Sequence, residues 1–126
     1  MREKSVRTKT VCVIDDELAI RQSTMAMARS LGYHAYAFAC AEDFLTSGVP
    51  ERIDCLVCDI QMSGMSGTAL LSHMRTLGEV VPFIFVSGHV TAHDHLVISR
   101  YDAPLLEKPI EPDELAALLV TILGTP

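Results

Sequence analysis

The chain has 126 residues, 49% of them hydrophobic and 21% charged, with a formal net charge of −6 at pH 7. That length makes about one domain with one core, and the balance excludes a disordered tail, a collagen-like repeat or a low-complexity segment. Four of the ten bases (Arg2, Lys4, Arg7 and Lys9) lie in the first nine residues, leaving six bases against fifteen acids beyond them. Such an acidic body lacks the basic face that nucleic acid requires, so no direct nucleic-acid contact is expected.

Residues 1–9 read as a basic leader without an assigned role, and 10–126 as one domain. No apolar stretch reaches the roughly 18 residues that span a bilayer, and the first thirty residues lack the pattern of a secretory signal. No membrane contact is expected, and the expected compartment is cytoplasmic.

In chain order, short apolar runs alternate with helical patterns, the signature of a parallel sheet with crossover helices. Residues 10–14 form a β-branched run suited to a strand covered on both faces, and it ends in Asp15-Asp16-Glu17. A helix over 18–31 stops at Gly32. A strand at 34–38 precedes a short helix at 41–46 with Glu42 and Asp43 in its first turn, where the helix dipole favours acids. Ser47-Gly48-Val49-Pro50 breaks it.

The third strand, 54–58, finishes on Asp59. The loop Met62-Ser63-Gly64-Met65-Ser66-Gly67 follows, its two glycines permitting backbone angles that other residues resist. A helix then carries Leu70, Leu71 and Met74. A fourth strand at 80–86 ends at Ser87-Gly88-His89, a weak helix lies near 95–100, and a minimal fifth strand at 105–106 leads to Glu107-Lys108-Pro109. Pro112 opens the last helix, with Leu115, Leu118, Leu119 and Ile122 along one face.

Cys55 and Cys58 form a CxxC, but residues three apart on a strand point to opposite faces and share neither a metal nor a disulfide. The reading is four buried free thiols. His89, His93 and His95 read as loop histidines rather than a zinc site.

In open parallel α/β sheets, ligands bind beyond the carboxyl ends of the strands. Here those ends carry Asp15 and Asp16, Asp59, Ser87 and Lys108, and Lys108 is the only lysine beyond residue 9. Three converging carboxylates need a counter-charge, and oxygen ligands of this kind suit Mg²⁺. A lysine and a serine suit phosphate oxygens, and an aspartate can act as a covalent nucleophile toward phosphorus. The chemistry read from these residues is phosphoryl transfer.

On Asp15-Asp16-Glu17, on Asp59 with its glycine-containing loop, on Ser87-Gly88-His89 and on Lys108-Pro109, residues 10–123 resemble the receiver domains of bacterial two-component response regulators. Ala41-Glu42-Asp43-Phe44-Leu45 is similar to the subgroup that precedes helix-turn-helix output domains. The resemblance implies an α/β, flavodoxin-like fold: a doubly wound, five-stranded parallel sheet in the order 2-1-3-4-5 with five helices. It implies that Asp59 is the phosphoacceptor, receiving its phosphoryl group from a sensor histidine kinase or a histidine phosphotransfer domain. Asp16, Asp59 and the backbone carbonyl of Gln61 would ligate Mg²⁺, with Asp15 acting largely through water. Lys108 would pair with the aspartate and then with a phosphoryl oxygen, Ser87 would turn toward the phosphoryl group, and Gln61 and His89 would face the attacking water. A cis Lys108-Pro109 peptide bond is implied too.

The protein would then be a signalling switch rather than an enzyme in the ordinary sense, driving an output domain or partner protein and in some cases dimerising. Three positions depart from the family pattern. Ser63 replaces a proline, Leu105 replaces an aromatic residue that turns inward on activation, and Tyr101-Asp102-Ala103-Pro104 replaces a Gly-Ala turn. Two other readings stand beside this one. A Mg²⁺-dependent phosphohydrolase would want a second acid where Gln61 stands. A receiver-like interaction module that is never phosphorylated normally lacks one of the acids or the lysine.

Overall fold

The computed structural model describes residues 8–48 and 53–124. Most of the basic leader, the Val49-Pro50 break and residues 125–126 lie outside the described residues. The elements are β1 (Thr10–Ile14), α1 (Leu18–Ser30), β2 (His34–Phe38), α2 (Ala41–Thr46), β3 (Cys55–Asp59), α3 (Gly67–Thr76), β4 (Phe83–Ser87), α4 (Ala92–Arg100), β5 (Leu105–Glu107) and α5 (Pro112–Leu123). All strand pairings are parallel, in the order β2-β1-β3-β4-β5, as the sequence reading expects.

Every residue of β1, β3 and β4 is buried, which explains their unbroken apolar character. The period of two divides their side chains between two cores. Cys12, Ile14, Leu56, Cys58, Phe83 and Phe85 pack with Phe44 of α2, Leu70 and Leu71 of α3 and Ile98 of α4. Val11, Val13, Cys55, Val57, Ile84 and Val86 pack with Ala28 of α1 and with Leu115 and Leu119 of α5. Cys55 and Cys58 therefore lie on opposite faces of the sheet.

Burial pushes the Cys12 and Cys55 thiols up to about 12 and raises Cys58 well above its ordinary value, so all three stay protonated. Cys40 departs from the expectation of four buried thiols. It is only half-buried, because it occupies the N-cap of α2 rather than a strand.

Several bounds differ from the sequence reading for local reasons. β4 begins at Phe83 rather than at residue 80, and Val80 is 80% exposed in the preceding connection. Pro82, without an N–H, contributes its carbonyl to Leu56 N at 2.9 Å just before the strand. α4 begins at Ala92 rather than near 95, so His93 and His95 are helical and not loop residues. Thr91 starts that helix: its Oγ1 accepts from Asp94 N at 3.0 Å while Asp94 Oδ2 accepts from Thr91 N at 3.1 Å, a reciprocal capping box. At the end of α4 Asp102 takes φ +53°, a left-handed conformation that aspartate tolerates better than most side chains. The Lys108-Pro109 peptide bond is cis.

The two glycines of the β3–α3 loop turn out to do different things. Gly64 has φ +77° and needs the freedom. Gly67 needs space instead, since a Cβ there would run into the Asp59 carbonyl oxygen and crowd the Ile60 backbone. Its own N–H donates to Ile60 O at 3.0 Å, so α3 starts directly against the end of β3. The loop is also held from the side, where Glu42 Oε2 of α2 accepts from Met65 N at 2.8 Å. Gly67→Ala is expected to cost about 1–3 kcal/mol through this overpacking. Thermal unfolding checks it, and an unchanged melting temperature would contradict the steric reading.

Candidate functional site

A parallel sheet brings all its carboxyl ends to one edge, and the charged residues that end these strands meet there. Asp15 follows β1 and is 1% exposed, while Asp59 closes β3 and is 3% exposed. Lys108 follows β5, its backbone N–H donating to Ser87 O at 2.9 Å so that its side chain runs back toward β1 and β3. Lys108 Nζ lies 3.2 Å from Asp15 Oδ2, 3.2 Å from Asp59 Oδ2 and 2.8 Å from Glu17 Oε1. One ammonium thus neutralises part of three carboxylates.

A carboxylate buried beside a second carboxylate and one cation feels three competing influences on its proton affinity. Asp59 is raised above the usual carboxylate range, first by burial and then by the neighbouring charge of Asp15, against the opposing pull of Lys108. Burial alone would lower Lys108, but its hydrogen bond to Glu17 and the close negative charges of Asp15 and Asp59 outweigh this and raise it. Lys108 therefore stays charged.

Asp15 Oδ1 accepts from Glu17 N at 2.9 Å. Asp15 Oδ2 is buried with no aligned hydrogen-bond donor, although Lys108 Nζ is close. Carboxylate oxygens of Asp15, Glu17 and Asp59 lie within 4.8 Å of one another. An orphaned buried oxygen among hard oxygen donors fits a divalent cation such as Mg²⁺. Asp16 is exposed and stands outside that trio.

Around Asp59, Gln61 N donates to Asp59 Oδ1 at 3.2 Å. The Gln61 side chain turns toward the β4–α4 loop, with Nε2 at 3.3 Å from His89 O and 3.4 Å from Asp94 Oδ2. Ser87 is 1% exposed, and its Oγ donates to His89 O at 2.6 Å and accepts from His89 N at 3.1 Å. The hydroxyl is thus engaged with its own loop. Leu105 of β5 lines an open cleft beside Ser87 together with Val90 and His95.

The fold therefore gathers Asp15, Asp59 and Lys108 at contact distance, with Ser87 and Gln61 next to them, and leaves Asp16 exposed outside the carboxylate trio. The sequence reading missed two members. Glu17 received no role, although it is the third acid of its triplet; as N-cap of α1 its side chain makes no cap hydrogen bond and reaches Lys108 instead. Asp94 was also passed over, although the spacing Thr91-x-x-Asp94 has the form of a capping box.

Among the described residues no helix is long and apolar enough to cross a membrane. Residues 11–120 match the response regulator receiver domain. The response regulator protein TodT of Pseudomonas putida is 33% identical over 89 residues, covering 71% of this chain and 39% of TodT. The transcriptional regulatory protein FixJ of Azorhizobium caulinodans is 32% identical over 117 residues, covering 90% of this chain and 54% of FixJ. The chain thus spans about half or less of the length of these relatives. A crystal structure of a CheY-like receiver domain protein from Methanospirillum hungatei superposes with a TM-score of 0.83 at 25% identity, covering 91% of this chain and 93% of that one. With five parallel strands in the order 2-1-3-4-5 and an acidic, lysine-bridged pocket at their carboxyl ends, the chain belongs to the response regulator receiver domain family.

Proposed function

We propose that this domain takes a phosphoryl group onto Asp59 from the phosphohistidine of a sensor histidine kinase or a histidine phosphotransfer domain. The observation that carries this reading is the Lys108 ammonium held between Asp15, Asp59 and Glu17 in a largely buried pocket. In the transfer an Asp59 carboxylate oxygen bonds to phosphorus as the phosphorus–nitrogen bond breaks, and the departing imidazole takes a proton from solvent. Lys108, already 3.2 Å from Asp59 Oδ2, then has a phosphoryl oxygen to pair with.

Ser87 supplies a hydroxyl that exchanges the His89 carbonyl for the new anion. Asp15, Asp16, Asp59 and the Gln61 carbonyl, with Glu17 beside them, would hold Mg²⁺. The ion would neutralise charge on the carboxylates and the transferring group. The domain acts in the cytosol on an output domain or a partner protein, as the greater length of TodT and FixJ supports, and pairs with a second copy when phosphorylated.

Intact mass after incubation with acetyl phosphate tests the reading. A Mg²⁺-dependent phosphoryl adduct is expected in the parent and absent from Asp59→Asn. A well-folded parent that gains no adduct would favour a receiver-like interaction module instead.

Because folding raises the proton affinity of Asp59, its ionisation costs stability as pH rises from the ordinary carboxylate range through the raised folded value. Asp59→Asn is therefore expected to melt above the parent at pH 7 without Mg²⁺. The gap should shrink as pH falls through the raised folded value and Asp59 takes up its proton; a parent that melts higher at pH 7 would contradict this.

Mg²⁺ should in turn stabilise the parent. At ten times its dissociation constant the gain is about 1.4 kcal/mol, and Asp16→Asn should reduce it. A melting temperature indifferent to Mg²⁺ would remove the ion from the site.

A further inference from the structure

Asp94, on α4, is 6% exposed and makes more contacts than helix capping requires. One carboxylate oxygen suffices for the capping box with Thr91. The other, Oδ1, accepts from the buried Thr68 Oγ1 of α3 at 3.0 Å, and Oδ2 also faces Gln61 Nε2 at 3.4 Å. Burial would raise the Asp94 carboxyl, but the Thr91 and Thr68 hydrogen bonds outweigh it and hold the carboxyl below its ordinary value. The side chain stays an acceptor on both oxygens.

Gln61 is the next link. Its backbone N–H is on Asp59 Oδ1, and its carboxamide nitrogen faces two acceptors, the His89 carbonyl and the Asp94 carboxylate. The opposite orientation would set Oε1 against a carbonyl oxygen and a carboxylate, which leaves one satisfied arrangement. Both N–H groups are then turned toward α4, and the polar atom left to Gln61 is Oε1, an acceptor. An acceptor on the residue whose backbone N–H holds Asp59 can orient a water molecule, whereas a freed carboxamide could turn its donors to the phosphoryl oxygens and hold them.

We propose that Asp94 is a positioning residue for the hydrolysis of the Asp59 phosphoryl group, fixing the Gln61 carboxamide with its acceptor free and so shortening the lifetime of the phosphorylated state. The proposal rests on the reading of Asp59 as phosphoacceptor. In the step concerned, a water oxygen bonds to phosphorus as the bond to the Asp59 carboxylate oxygen breaks. The carboxylate returns, and the water's protons pass to the released phosphate and to solvent. Asp94 touches none of the reacting atoms and acts only through its contact with Gln61.

The test phosphorylates the parent and its variants with acetyl phosphate and Mg²⁺, removes the donor and follows the adduct by intact mass. Asp94→Asn removes the negative charge that holds Gln61 Nε2 and should lengthen the half-life about 5-fold, the equivalent of about 1 kcal/mol. Asp94→Ser, which no longer reaches Gln61, should do the same, and it serves if the Asn variant melts too low. Thr91→Ala weakens the capping box but leaves the Gln61 contact, and its half-life should stay near that of the parent. In a Gln61→Ala background, Asp94→Asn should add nothing. Unchanged or shorter half-lives in both Asp94 variants, or an equal lengthening in Thr91→Ala, would overturn the proposal while leaving Asp59 as acceptor. A parent that forms no adduct would overturn the acceptor reading and this proposal with it.

Discussion

Two carboxylates with almost no exposure, Asp15 and Asp59, share a pocket with one ammonium, and the rest of the structure can be understood as the means of holding them there. Ionised groups taken out of water lose several kcal/mol of hydration each, and a single shared cation does not return all of it. The raised proton affinity of Asp59 is a direct sign of that imbalance. The remainder must come from burial elsewhere, chiefly from β1, β3 and β4, whose side chains are buried on both faces. A core of this kind keeps a strained, polar edge in place without contributing to its chemistry.

The same imbalance makes the pocket responsive. An incoming dication or phosphoryl group meets carboxylates that lack sufficient positive charge, an Asp15 oxygen without an aligned donor and a lysine whose partners are interchangeable. The groups that would report such an event are already joined by hydrogen bonds. Ser87 and Gln61 both donate to the His89 carbonyl, and Gln61 continues to Asp94, which holds Thr68 of α3 and the first turn of α4. A change at Asp59 thus has a short path to the α4 face. On that face Leu105 contributes an aliphatic side chain, not a ring, to the cleft beside Ser87.

Most of the architecture was legible in the sequence. The alternation of buried apolar runs with amphipathic stretches gave five strands and five helices in the observed places, and the acids and lysine at the strand ends marked the pocket. The misreadings were local. The strand at 80–86 included Val80 because it is β-branched, although Pro82 shifts the start of the ladder. The beginning of α4 was lost among histidines because its moderate apolar pattern hid the Thr91 and Asp94 pair. Gly67 looked like a flexible turn residue, while its value lies in the missing Cβ that lets α3 approach Asp59.

What the sequence determined by itself is whatever depends on neighbours along the chain: periodicity, the acids that end β1 and β3, and the opposite faces on which Cys55 and Cys58 lie. Side-chain direction on a strand or helix follows from one or two residues of spacing, so these features need no knowledge of the fold. The tertiary structure decided which side chains meet. Lys108 reaches Glu17 as well as Asp15 and Asp59, and Asp94 reaches Gln61 and Thr68, because parallel crossovers bring distant strand and helix ends to one edge. Those distances depend on strand order and register, which no local pattern specifies to the accuracy of a hydrogen bond.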